Sequence, residues 1–98
     1  MATLIPIDGQ PREVTPADGG PEFTLDELQA LVGGYLEALR LDDAYWLVIN
    51  EEGKLLDLPV NLRATALVRW RLPADDYIVG PAIVCTTAEM GSDGSGDA

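Results

Sequence analysis

Residues 23–61, FTLDELQALVGGYLEALRLDDAYWLVINEEGKLLDLPVN, decide the fold. Thr24 with Glu27 three positions later forms a capping box, in which each side chain satisfies an unpaired N–H of a helix's first turn. Phe23 before the cap and Leu28 at the fourth helical position have the spacing of a hydrophobic staple. Asp26 and Glu27 put negative charge at the positive end of the helix dipole, and Arg40 suits the other end. Leu28, Leu31, Val32, Tyr35, Leu36 and Leu39 recur at helical spacing as one apolar stripe. The pattern predicts one long helix over about 24–40.

The opposite side of that helix carries Ala30, Gly33, Gly34 and Glu37. A glycine inside a helix costs roughly 0.8–1 kcal/mol relative to alanine, and here two stand together. One reading is that a strand, a second subunit or a ligand approaches the backbone there. The other is a kink or close packing within the domain. Tyr45-Trp46-Leu47-Val48-Ile49 follows as an unbroken apolar run, which suits a strand covered on both faces. Asn50-Glu51-Glu52-Gly53 reads as a type I turn followed by a glycine of positive φ, with Lys54 to Leu58 as the returning strand.

Outward from this centre, Thr3 to Ile7, Asp8-Gly9 and Arg12 to Thr15 read as a hairpin. Pro6 and Pro11 confine it to a short or edge pairing. Pro16 to Pro21 is a loop by composition. Residues 62–72 carry two patterns. Asn61 caps a short helix over about 62–69 with Ala64, Leu67 and Val68 inward, whereas Val68, Trp70 and Leu72 alternate as in a strand. The helix start fits the residues better. Pro73 to Asp76 is a turn, and Tyr77 to Thr86 a strand interrupted at Gly80-Pro81. The expected fold is α+β: a small, mostly antiparallel sheet with one long helix (about 24–40) and a second short helix (about 62–69). Residues 1–88 form a single domain, and 89–98 an acidic, Gly-Ser-rich disordered tail.

Ninety-eight residues with 47% hydrophobic content support one modest core. No apolar run approaches the ~20 residues of a membrane helix. The amino terminus has no basic start and no long apolar centre, so a cytoplasmic protein is expected. Seventeen acids against six bases give a net charge of −11. That balance opposes direct nucleic-acid binding, which needs cations to neutralise phosphates. It favours solubility, with imitation of a phosphate backbone as the sharper alternative.

The chain has no histidine, the commonest general base and zinc ligand. Its one cysteine, Cys85, lies in an apolar run and reads as buried. Asp42-Asp43, Glu51-Glu52 and Asp75-Asp76 read as solvated turns, with divalent-metal binding at one of them as the weakly signalled alternative. No dinucleotide or phosphate-loop spacing occurs. Neither catalysis, a cofactor nor a metal is expected. One basic patch stands out: Arg63, Arg69 and Arg71 beside Trp70, a candidate site for a small anionic ligand such as a nucleotide. The bland alternative is pairing of these arginines with nearby acids.

Several short motifs occur in a telling order: Ile7-Asp8-Gly9 with Arg12-Glu13-Val14; Phe23-Thr24-Leu25; Leu31 to Glu37; Asn50 to Lys54; Pro59 with Asn61; Ala64-Thr65 with Leu67; and Ile78-Val79-Gly80 with Ala82-Ile83-Val84. Over about residues 4–85 the set resembles the domain of unknown function family 3846, small proteins of phages and bacteria. The resemblance implies a compact domain in a phage or mobile-element context, with no assigned chemistry. It also marks Gly33-Gly34, Asn50 to Lys54 and Asn61 as positions shared with the family pattern. The candidate partner face is therefore Ala30, Gly33, Gly34, Glu37, Asn50, Glu51, Glu52, Lys54 and Asn61. The expected function is a non-catalytic binding module that engages a protein partner or a second copy of itself. The alternatives are a small anionic ligand (nucleotide) sequestering protein and an acidic DNA-mimic inhibitor.

Overall fold

The structure, a computed structural model, describes residues 2–16, 19–20 and 22–89. Five strands form one antiparallel sheet: β1 (Ala2–Ile5), β2 (Arg12–Val14), β3 (Leu36–Arg40), β4 (Tyr45–Asn50) and β5 (Ala82–Thr86), in the order β2-β1-β5-β4-β3. Two hairpins, β1–β2 and β3–β4, are thus joined by the last strand, which pairs with β1 on one side and β4 on the other. Helix α1 (Leu25–Val32) covers one face of the sheet, and α2 (Leu62–Val68) the other.

Helices on both faces explain the unbroken apolar run of β4. Val48 packs with Phe23, Leu28 and Val32 beneath α1. Its neighbours Leu47 and Ile49 point the other way and pack with Ala64 and Val68 of α2. Strand β5 divides likewise, with Ile83 and Cys85 toward α1 and Ala82 toward α2. Successive strand residues alternate between faces, so a strand covered twice is apolar at every position.

The start of α1 follows its sequence. Thr24 Oγ1 accepts from the Glu27 N–H at 3.1 Å, and Glu27 returns the bond to the Thr24 N–H at 2.8 Å. Phe23 and Leu28 are both buried in the same cluster. The end does not follow it. The helix stops at Val32, eight residues long, because Gly33 turns into the left-handed region at φ 87°. The N–H groups of Gly33 and Gly34 both donate to the Gln29 carbonyl, at 2.8 and 3.0 Å, which closes the last turn. The single long helix over 24–40 is therefore corrected to a short helix and an edge strand, and Gly33 and Gly34 follow the helix rather than interrupting it.

Other boundaries also move. Lys54 to Leu58 is not a returning strand but a series of tight turns, with Leu56, Asp57 and Leu58 donating to the Glu52, Lys54 and Gly53 carbonyls. The neighbour of β4 is β3, supplied by the residues expected to be helical. Gly53 is required by space rather than by φ, since a Cβ there would lie 2.7 Å from Val79 Cγ2. The expected strand from Tyr77 shortens to β5. Gly80 at φ 79° breaks it, and Val79 makes an isolated bridge with Val60.

The second helix forms as a helix rather than a strand, ending in a 3-10 turn over Arg69–Arg71. Ala64 and Val68 are buried as expected, whereas Leu67 faces outward at 42% exposure. Glu89, assigned to the tail, belongs to the folded body. It is buried, its carboxylate accepts from the Thr86 N–H at 2.9 Å, and its carbonyl accepts from Phe23. The rest of that tail lies outside the described residues.

The glycine stop makes a prediction with a definite sign. Alanine at position 33 would stabilise a continuous helix by about 1 kcal/mol. Against a left-handed cap it is strained, so Gly33→Ala is expected to destabilise the protein by about 1 kcal/mol. Gly33→Asn should retain more stability than the alanine variant, since asparagine tolerates that conformation. Urea unfolding of the three proteins measures both differences.

Candidate functional site

Four members of the expected partner face meet at one cleft. Glu37 and Leu39 of β3 and Ile49 and Asn50 of β4 line it from the sheet. Glu51, Gly53 and Lys54 follow from the turn, and Leu72 and Asp76 to Val79 close the far wall around about 170 Å³. Leu39, Ile49, Ile78 and Val79 make the interior apolar, while Glu37, Glu51, Lys54, Asp76 and Tyr77 bring polar groups to it. The Lys54 ammonium pairs with Asp76 Oδ1 and stands 5.0 Å from the centre of the Tyr77 ring. The Asp76 carboxylate also accepts from the Tyr77 N–H at 2.8 Å. The Lys54 hydrogen bond foremost, then the Tyr77 N–H, hold the Asp76 carboxyl below the usual carboxylate range.

The wall is fixed in place by Arg69, whose guanidinium donates to the carbonyls of Pro73 and Asp76. Below it, the Ile78 N–H donates to Thr65 Oγ1 at 2.8 Å, and the Ile78 carbonyl accepts from the Asn61 N–H at 2.8 Å. Asn61 is fully buried. Its Oδ1 accepts from the Ala64 N–H at 2.9 Å as the cap of α2, while Nδ2 donates to the Ile5 and Gly80 carbonyls, each at 2.9 Å. That side chain ties α2 to β1 and the Gly80 turn, and offers nothing to a partner.

Asn50 has a parallel duty on the other side of the sheet. Its Nδ2 donates to the Val32 carbonyl at 3.3 Å, and its Oδ1 accepts from the Glu52 N–H at 2.8 Å. Gly34 is packed on this side chain, for a Cβ there would lie 2.9 Å from Asn50 Nδ2. Body and glycine belong to the same chain, so the close approach at Gly34 is internal packing. Ala30 lies elsewhere, lining a shallow hollow with Val14, Phe23 and Leu31. The nine expected residues do not form one face. Glu37, Asn50, Glu51 and Lys54 line the cleft and Glu52 is exposed in the turn, while Gly33, Gly34, Asn61 and the Asn50 side chain hold the fold together.

The basic patch divides as well. Arg63 lines an open hollow with Ile7, Asp8, Gly9, Val60 and Leu62, apart from the other two arginines. Arg69 is committed to the cleft wall, and Arg71 donates to the Arg40 carbonyl at 2.8 Å. Trp70 is 70% exposed, with the Arg71 guanidinium 5.9 Å from its ring centre. Backbone carbonyls, not acids, are the acceptors of Arg69 and Arg71. Sequence reasoning missed Asp76 and Tyr77 as cleft residues. The signal was an acid-aromatic step, which is indistinguishable from a solvated turn until Lys54 is placed across it.

No cluster of three or more His, Cys, Asp or Glu side chains that could hold a metal ion occurs among the described residues. Burial, reinforced by the nearby Glu89 charge, pushes the Cys85 thiol up to about 12, far from a neutral-pH nucleophile. No helix among the described residues is long and apolar enough to cross a membrane. A family model for a domain of unknown function, DUF3846, matches residues 2–96. No curated protein and no solved structure matches the chain.

Two outcomes are expected from these contacts. Asn61→Asp keeps the cap acceptor but turns two buried donations into carboxylate–carbonyl repulsions, so it should cost about 2–4 kcal/mol in chemical unfolding. For Asp76 the folded pKa is depressed. Its stabilising contribution is complete above the unfolded carboxylate value and is lost as pH falls through the folded one. Lys54→Met should raise the Asp76 midpoint in a carboxyl-carbon NMR titration. Global stability at neutral pH should barely change, because the pair is exposed.

Proposed function

The chain belongs to the DUF3846 family, and from that premise we propose that it is a non-catalytic interaction module engaging another protein. The family resemblance supports a phage or mobile-element setting. The observation that carries the reading is the connection between β4 and α2. Within residues 55–62, Leu55, Leu56, Val60 and Leu62 are exposed at 85, 54, 41 and 77%. Scattered surface leucines are ordinary, but three large apolar side chains in one short connection, with a fourth on the first residue of α2, are not needed to cover the core beneath. Asn61 and Leu58 already anchor this segment, with Leu58 beside Gly80. The apolar side chains between and beside these anchors are left for a partner.

An enzyme is a weaker reading of the same geometry. The chain has no histidine, the commonest general base, and its one cysteine is buried with the thiol pushed up to about 12. Self-association remains the nearest variant within the binding reading, and the same surface would serve it.

Leu55→Glu combined with Leu62→Glu tests the proposal, since both positions are exposed and the substitutions should leave thermal melting unchanged. As bait in a bacterial lysate, the wild-type chain should retain a protein that the double variant loses by tenfold or more. Gel filtration with light scattering on both proteins reports the self-association variant. Identical capture and identical mass for the two chains would remove this surface from the function.

A further inference from the structure

We infer that the open edge of β3, with the cleft beside it, docks an extended, lysine-bearing segment of a protein partner as a sixth strand. The inference rests on the interaction-module reading and names the chemistry of the partner. Strand β3 ends the sheet. The Tyr35 carbonyl accepts from the Glu51 N–H at 2.8 Å, and the Leu41 N–H donates to the Tyr45 carbonyl at 2.9 Å. Odd-numbered residues therefore turn their backbone groups toward β4. By the alternation of an antiparallel ladder, Leu36, Ala38 and Arg40 turn theirs outward. Arg71 already occupies the Arg40 carbonyl. The row that remains is Leu36 and Ala38, the length of a short peptide addition.

The cleft selects the occupant. Glu37 projects from β3 on the face shared with Leu39, so a side chain of an added strand on that face would stand about 5 Å away and reach the cleft. Glu37 and Glu51 line it, and neither is ion-paired among the described residues. The chain's net charge of −11 adds a long-range preference for a cation. The cleft also contains an internal example of the recognition proposed: Lys54 places its ammonium between the Asp76 carboxylate and the Tyr77 ring. An incoming lysine beside Glu37 and Glu51 would repeat the carboxylate half of that arrangement. A second copy of this chain fits less well. Pairing of β3 with itself about Ala38 sets two Glu37 side chains diagonally on one face and brings together two chains of like net charge.

The test uses the whole chain and the probe acetyl-Thr-Lys-Val-Lys-Val-Lys-Thr-amide, followed by backbone amide NMR and hydrogen exchange. Binding should slow exchange at Leu36 and Ala38 and shift the Glu37, Glu51 and Tyr77 resonances. Ala38→Pro removes an outward N–H that the sheet itself does not use, and should weaken binding at least tenfold. Glu37→Lys should do the same. If Ala38→Pro does not fold, a probe N-methylated at both valines makes the same test from the other side, and it should bind at least tenfold more weakly to the wild-type chain. The inference is overturned if the probe does not bind. It is equally overturned if the N-methylated probe binds as well as the parent, or if shifts spread over the acidic surface without protecting Leu36 and Ala38. Any of these three results, together with a Leu55→Glu/Leu62→Glu chain that still loses its captured protein, would sink the sixth strand alone and leave the interaction module standing.

Discussion

One carboxamide, that of Asn61, joins three parts of the chain at a point. It caps the first turn of α2, and its amide hydrogens satisfy carbonyls at the end of β1 and at the Gly80 turn. A buried donor or acceptor left unpaired costs about 1–3 kcal/mol, so three such bonds on one side chain fix a unique arrangement rather than merely adding to stability. The Asn61 and Thr65 backbone and hydroxyl groups then hold Ile78 from both sides. The far wall of the cleft hangs from that attachment. Moving the cap of α2 would move the wall, and with it the Lys54–Asp76 contact.

Asn50 solves the corresponding problem under α1. A helix ends with carbonyls that have no partner within it, and the Asn50 amide reaches the one at Val32. Its other atom accepts from Glu52 and so shapes the turn that leads to Lys54. Gly34 has to be bare for this side chain to fit. Gly33-Gly34, Asn50 and Asn61 are among the residues that carry the family resemblance, and each has an architectural reason to be what it is. The pattern they make identifies a fold. It does not identify a chemistry.

What the sequence revealed follows the range of the forces involved. The α1 cap, the first hairpin, the doubly covered β4 and the Asn61-capped α2 are set by residues within a few positions of one another, so local rules find them. The end of α1 was misread because Leu31, Val32, Tyr35, Leu36 and Leu39 fit helical spacing equally well whether or not the helix continues. A glycine pair directly after the helical stripe is itself a stop signal, but it was outweighed by periodicity. Only pairing with β4 makes 36–40 a strand, and pairing is not written in the five residues Leu36–Arg40. The cleft was illegible for the same reason. Glu37, Lys54 and Tyr77 are far apart in the chain, and no pairwise spacing relates them.

The distribution of the few bases gives the charge balance its meaning. Arg40, Arg69 and Arg71 each donate to a backbone carbonyl, and Arg40 and Arg71 also lie against Trp46 and Trp70. Lys54 pairs with Asp76. Four of the six bases are thus engaged with this chain, but three of them meet neutral carbonyls rather than acids. An arginine bonded to a carbonyl fastens a loop without cancelling a carboxylate's local partner requirement. The acids are left to be met from outside, by water and ions or by a cationic partner. Such a surface speeds the approach of basic segments and discourages association with its own kind. The same economy that holds the 69–76 turn in place therefore leaves Glu37 and Glu51 uncompensated beside an open strand edge.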